Sequence, residues 1–228
     1  MFSMTKFEKI LWIVSLSTII ISFFIFGGKA PLEMIVSVIG VTSLIFCAKG
    51  NFIGHIMGIL FSLIYGYISY TFDYYGEMIT YMCMTMPMAV IALISWLKNP
   101  YNGKLTEVKV NKIGKRDVVL MFIYAALVTV SFYFILSAFG TANIIPSTFS
   151  VTTSFMAVYL TYKRSPYYAI AYSLNDIVLI ILWVLAGLND VRYFNMVVCF
   201  VIFFINDIYG FISWKKMEIM QKGDELDI

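Results

Sequence analysis

Eight apolar stretches, each about as long as a bilayer is thick, constrain this chain more than any other feature. They cover residues 10–27, 31–48, 52–72, 77–97, 117–140, 144–162, 166–187 and 193–214. A hydrocarbon core takes about 17–25 residues of helix. The eight stretches account for most of the 228 residues and leave no room for a soluble domain. Strands of alternating polarity, the mark of a membrane barrel, are absent from the sequence. In lipid the backbone must find its hydrogen bonds within its own segment, so the stretches are expected to be helices. Composition agrees: 61% of residues are hydrophobic and 13% charged, against about half and about a quarter in soluble domains. A net charge of +3 also gives no basic surface dense enough for nucleic acid.

The connecting segments carry an orientation signal, because Lys and Arg collect on the cytoplasmic side. With the N-terminus inside and eight crossings, the inside segments hold Lys6, Lys9, Lys49, Lys98, Lys104, Lys109, Lys112, Lys115, Arg116, Lys163, Arg164, Lys215, Lys216 and Lys222. The outside segments hold only Lys29 and Arg192. This places both termini in the cytoplasm of an inner or plasma membrane. The longest loop, Lys98 to Arg116, reads as a topology determinant. Lys6 and Lys9 before an apolar run resemble a signal peptide, and Gly28-Lys29-Ala30 imitates a cleavage site. Pro31 would hinder cleavage and the run is long, so the first helix is expected to be retained.

The two halves repeat. Ile94-Ser95-Trp96 matches Ile212-Ser213-Trp214, and the same shift pairs Tyr75 with Tyr193 and Met78 with Met196. Lys49 and Lys163 end the second and sixth stretches. Under the charge-derived topology these repeats are parallel, and the fifth helix makes them so. The expected fold is an all-α integral membrane protein with one extra helix before a 3+1+3 core. Its parts are residues 1–30, a first repeat 31–97, a basic loop and linker helix 98–140, a second repeat 141–216, and a cytoplasmic tail 217–228. Parallel repeats about an axis along the membrane normal are a transporter architecture, with substrate held near the midplane.

Ionisable groups inside a span are expensive and point to function. Asn175 and Asp176 lie mid-way along the seventh stretch, with Tyr168 and Tyr172 on the same face as Asp176. Asn206 and Asp207 lie in the eighth, and Asn195 shares a face with Asn206 eleven residues away. The third stretch has a stripe of His55, Gly58, Ser62, Tyr65 and Ser69, which also suits close helix packing. The fourth carries Glu77 and Tyr81 on one face and Pro87 at its middle, a candidate hinge. The expected substrate contacts are Tyr172, Asn175, Asp176, Trp183, Asn195, Asn206, Glu77 and Tyr81. Asn and Asp suit sugar hydroxyls, and Tyr172 and Trp183 suit stacking on a flat ring. A nucleoside has both parts.

Other chemistries lack their residues. One His and no Cys-x-x-Cys spacing give no zinc site. Cys47, Cys83 and Cys199 each lie in apolar runs and read as free thiols. There is no Gly-x-Ser-x-Gly elbow and no phosphate-binding Gly-x-x-x-x-Gly-Lys loop. No enzyme activity, metal or cofactor is expected.

At this point residues 31–217 resemble the PnuC family of vitamin-nucleoside transporters. The resemblance rests on motif order: Gly54-His55-Ile56-Met57-Gly58-Ile59-Leu60, Tyr75-Gly76-Glu77 and Trp96, then Ser154, Lys163-Arg164, Tyr172 with Asp176, Tyr209-Gly210 and Trp214. It implies a seven-helix core, a homotrimer, and facilitated diffusion of nicotinamide riboside or a related nucleoside, which a cytoplasmic kinase then traps. The family usually has Trp where Tyr172 stands and Gln where Tyr81 stands, and Ile91-Ala92 replaces a Tyr-Gly pair. These departures fall on expected contacts and leave room for another nucleoside, such as a deoxynucleoside. Two alternatives stand beside it: proton-coupled uptake through Asp176 or Glu77, and a substrate-binding subunit of a larger vitamin importer.

Overall fold

Apolar side chains with no polar partner in sight leave the backbone to satisfy itself, and each of the eight stretches winds into helix. The computed structural model describes residues 4–27, 31–71, 75–141 and 143–226. Its helices are α1 (Lys6–Ile25), α2 (Pro31–Ala48), α3 (Ile53–Thr71), α4 (Tyr75–Leu97), α5 (Lys115–Ala138), α6 (Ile144–Tyr162), α7 (Tyr168–Gly187) and α8 (Phe194–Leu226). Among the described residues seven of these are long and apolar enough to cross a membrane, and α2 is apolar but shorter. Their outward faces are greasy: Ile145 is 69% exposed and Phe134 66%. Such a surface is at home only in lipid, and the chain is a multi-pass membrane protein. The Gly28-Lys29-Ala30 stretch lies outside the described residues.

The segment after α4 is not a plain loop. Strands β1 (Pro100–Tyr101) and β2 (Lys104–Val108) pair antiparallel across a turn at Asn102 and Gly103, both with positive φ. This hairpin marks one end of the bundle. The starts of α1, α3, α5 and α7 gather there with the ends of α2, α4 and α6 and the last turns of α8. The expected tail continues as helix α8 through Leu226. Glu218 holds Lys215 and Lys222 on that extension at 2.9 and 2.8 Å, and Tyr101 donates its hydroxyl to Asp224 at 2.6 Å.

Helix α1 packs on α2 and α8. A capping box of Thr5 and Glu8 starts it. Glu8 also takes the Lys49 ammonium at 2.9 Å and the Tyr209 hydroxyl at 2.9 Å, although it is 3% exposed. Further along, Ser22 donates to Asn195 at 2.9 Å, and Asn206 donates to Ser15 at 3.0 Å. Asn195 and Asn206 share a face of α8 as expected, and that face meets α1. Periodicity tells which residues lie together on a helix and not which neighbour they meet.

Helix α4 changes its winding part-way along. Residues Thr80–Thr85 are π-helical, and the Met86 N–H reaches back to the Tyr81 carbonyl. Pro87 follows immediately, at the start of the next α-helical stretch. Pro has no N–H, and its ring clashes with the carbonyl four residues back in a regular helix. The extra residue in the wide turn removes that conflict. The irregular winding thus lies in the turn before Pro87, the residue expected to act as a hinge.

Candidate functional site

The helices enclose two chambers that meet end to end. The chamber nearer the hairpin has a volume of about 140 Å³ and draws on α2, α3, α4, α6, α7 and α8. The second, about 220 Å³, extends toward the opposite end, past Glu77, Thr80 and Trp183 to Thr141 and Asn143. Tyr81, Thr85, Ser154 and Asn175 line both and form the partition between them.

Two of the partition residues, Tyr81 and Asn175, are held in place by their neighbours. The Tyr81 ring lies 4.5 Å from Tyr65 and 6.0 Å from Phe61, and Phe61 stacks on Tyr65 at 5.5 Å. The π turn sets this placement, because one extra residue rotates the helix face by about 100°. Asn175 is buried on α7, and its carbonyl oxygen accepts from Thr153 at 2.8 Å and Ser150 at 3.3 Å on α6. Its amide N–H groups are then the ones left to offer a ligand at the junction.

The hairpin-side chamber has an acidic wall. Asp176 on α7 and Asp207 on α8 are each 4% exposed, and their carboxyls stand within hydrogen-bonding range of each other. Asp176 Oδ2 has no hydrogen-bond donor, and neither does His55 Nε2 across the chamber. Tyr168 and Tyr172 supply aromatic faces on the same helix as Asp176. Small residues make room opposite: at Gly54 a methyl group would come within 2.7 Å of the Cys47 nitrogen, so α3 packs tightly on α2 there.

Beneath this chamber two tryptophans close the hairpin end. Trp96 donates its indole N–H to the Thr161 carbonyl at 3.0 Å, and Trp214 donates to the Cys47 carbonyl at 2.8 Å. The His55 ring lies edge-on to Trp96 at 4.2 Å, and Tyr168 edge-on to Trp214 at 5.0 Å. The two tryptophan hydrogen bonds are paired by sequence. Cys47 and Thr161 are separated by the same interval as Gly54 and Tyr168, Gly58 and Tyr172, and Ser62 and Asp176, and all eight line the chamber. A second constant interval relates Thr85 to Phe203, Ala89 to Asp207 and Trp96 to Trp214. Gly50 and Arg164, in the turns that follow, obey the first interval, and both have left-handed backbone at φ 66° and 55°.

Of the residues expected to touch substrate, Tyr172, Asp176, Asn175 and Tyr81 line the hairpin-side chamber. Glu77 and Trp183 line the other, which Asn175 and Tyr81 share. Asn195 and Asn206 line neither. Sequence reasoning does not place Asp207, Ser154, Phe61 or Phe203 at the chambers. An acid inside a span was signal enough for Asp207, whereas Ser and Phe inside apolar helices carry none. Among the described residues no group of acids, His and Cys is arranged to hold a metal.

Residues 30–216 match the family described as nicotinamide mononucleotide transporters. The chain belongs to this family. A relative, the nicotinamide riboside transporter PnuC of Neisseria mucosa, is 27% identical over 224 residues, which are 96% of this chain and 84% of the relative. The crystal structure of the vitamin B3 transporter PnuC superposes with a TM-score of 0.82 at 24% identity, covering 96% of this chain and 94% of that one. The fold is that of a membrane transporter and not of an enzyme. In this member of the nicotinamide mononucleotide transporter family, the two chambers are the candidate substrate pathway.

Proposed function

We propose that this chain carries nicotinamide riboside, or a nucleoside close to it, across the inner membrane by facilitated diffusion, and that a cytoplasmic kinase then traps it. The substrate for which the Neisseria mucosa relative is named supports the choice, and so does the chemistry of the chambers. Flat aromatic faces at Tyr81, Tyr172 and Trp183 suit a ring, and Asn175 and Asp176 suit ribose hydroxyls. Among the described residues neither chamber has a Lys or Arg in its lining, and no such side chain answers a phosphate.

The observation that carries the reading is the paired lining. Matched residues of 31–97 and 141–216 face one cavity, as two parallel repeats around a shared site would. On this reading residues 98–140 link the halves, 1–30 and 217–228 flank them, and all eight helices cross. The hairpin end is cytoplasmic together with both termini, and the working unit is a homotrimer. The halves rock about the chambers, with the wide turn before Pro87 as the bend.

The test is uptake of labelled nicotinamide riboside into liposomes holding the purified protein. At zero membrane potential and without ATP, the solute should equilibrate across the bilayer. Asp176→Ala should fold and assemble but take up none. No uptake by the native chain, or equal uptake by the variant, would overturn the proposal. Uptake by the chain alone also removes the reading as a binding subunit of a larger importer.

A further inference from the structure

The acid pair in the hairpin-side chamber has no base to answer it. Asp176 and Asp207 adjoin each other, buried, and Asp176 Oδ2 faces the chamber without a donor. The titratable groups around them are Cys47 on α2, His55 on α3, Tyr81 on α4, Tyr168 and Tyr172 on α7 and Cys199 on α8; α6 presents Ser154 and Thr161. Among the described residues lining the chamber there is no Lys or Arg. Both acids come from the second half, and the matched positions of the first half are Ser62 and Ala89.

Two carboxyls in contact, away from water and without a cation, cannot both be ionised. One proton between them makes the pair a hydrogen-bonded unit with a single negative charge. In that unit one oxygen of each acid is engaged with the other, so a ligand that draws on both carboxylates must displace the shared proton. A fixed positive charge seated between the carboxylates does what the proton did and leaves the total charge of the cavity unchanged.

We infer that a permanently cationic substrate takes the place of a proton shared by Asp176 and Asp207. The inference rests on the reading that the cavity receives nicotinamide riboside, whose pyridinium ring carries such a charge. The O–H bond of the pair breaks, the proton goes to water, and both carboxylates then face the cation. A neutral nucleoside of the same shape cannot make this exchange. Below the pH at which the pair loses its proton unaided, affinity for a cation rises with pH by up to about tenfold per unit.

The experiment is titration calorimetry of the purified full-length protein in phosphate and in Tris at neutral pH. Ligands are nicotinamide riboside, its uncharged dihydro form, thiamine (a thiazolium cation) and thymidine (neutral). Protons released on binding appear as a difference in heat between the buffers. About one proton per bound cation is expected, and none for the neutral ligands. With Asp207→Asn, which keeps a hydrogen bond to Asp176, the release should vanish. A cation that binds the native protein with the same heat in both buffers overturns the inference, as does tighter binding of the dihydro form. Thiamine binding with proton release while nicotinamide riboside does not bind would sink the substrate reading and keep the proton exchange. Binding of thymidine alone would sink both.

Discussion

Trp96 and Trp214 lie with their rings 5.2 Å apart, and each reaches past the other to a main-chain carbonyl on a helix of the opposite group. The two indoles are 2% and 0% exposed. They close the chamber floor as an interlock, each third helix of one group tied to the first helix of the other.

Trp96→Phe and Trp214→Phe should therefore destabilise alike, each by about 1–3 kcal/mol for a buried hydrogen bond and lost volume. The double variant should lose less than the sum, since the rings touch. Thermal unfolding of the purified protein in detergent measures this. A loss in one variant only would show that the floor rests on a single tryptophan.

Pro87→Ala restores a backbone N–H and removes the ring that the wide turn accommodates. The turn at Thr80–Thr85 should tighten to regular helix, and Tyr81 should rotate away from the partition by about 100°. Uptake should slow while the unfolding midpoint holds or rises. An unchanged uptake rate would separate the π turn from transport.

Asn195→Ala and Asn206→Ala test the placement of α1. Each removes a buried partner of a serine, Ser22 or Ser15, and should cost about 1–2 kcal/mol of stability. Substrate affinity should stay at the native value, because neither side chain lines a chamber. A drop in affinity with native stability would return these residues to the site.

Lys163 follows α6 and pairs with Asp117 at 2.8 Å, each about a quarter exposed. The Asp117 carboxylate holds the Lys163 ammonium above its usual range. A raised lysine adds stability below its unfolded range and loses it as pH climbs through the folded one. Lys163→Met should cost about 0.5–1 kcal/mol at neutral pH. On the alkaline side, unfolding midpoints of the two proteins should converge only above the ordinary lysine range of about pH 10.4. Convergence near neutrality would contradict the pairing.

Helix placement was largely legible in the sequence because lipid leaves the backbone one solution. The sixth stretch, read as 144–162, is helix α6 at Ile144–Tyr162. Polar residues were harder to place, and for a physical reason. Asp176 and Asn206 are equally out of place in an apolar helix, but one meets a cavity and the other meets Ser15. Only packing distinguishes them, and an isolated helix pattern contains no neighbour. The hairpin at Pro100–Val108 escaped notice because a charged, short, exposed pair of strands has no apolar alternation to show. The π turn was half visible: Pro87 announces a break, while the six residues before it look like ordinary helix.

The chain beyond β2 also runs as an extended strap. Val108 donates its N–H to the Gly50 carbonyl at 3.0 Å, and Asn111 donates to the Arg164 carbonyl at 2.9 Å. Gln221 grips the strap between them, accepting from the Val110 N–H at 2.8 Å and donating to the Val108 carbonyl at 3.1 Å. One short peptide thus buckles together the two left-handed turns that begin α3 and α7. If the halves are to part on that side, this peptide must peel or stretch first. Inward release then becomes a local melting event, and the amides of Val108 and Asn111 are the two clocks by which hydrogen exchange could time it.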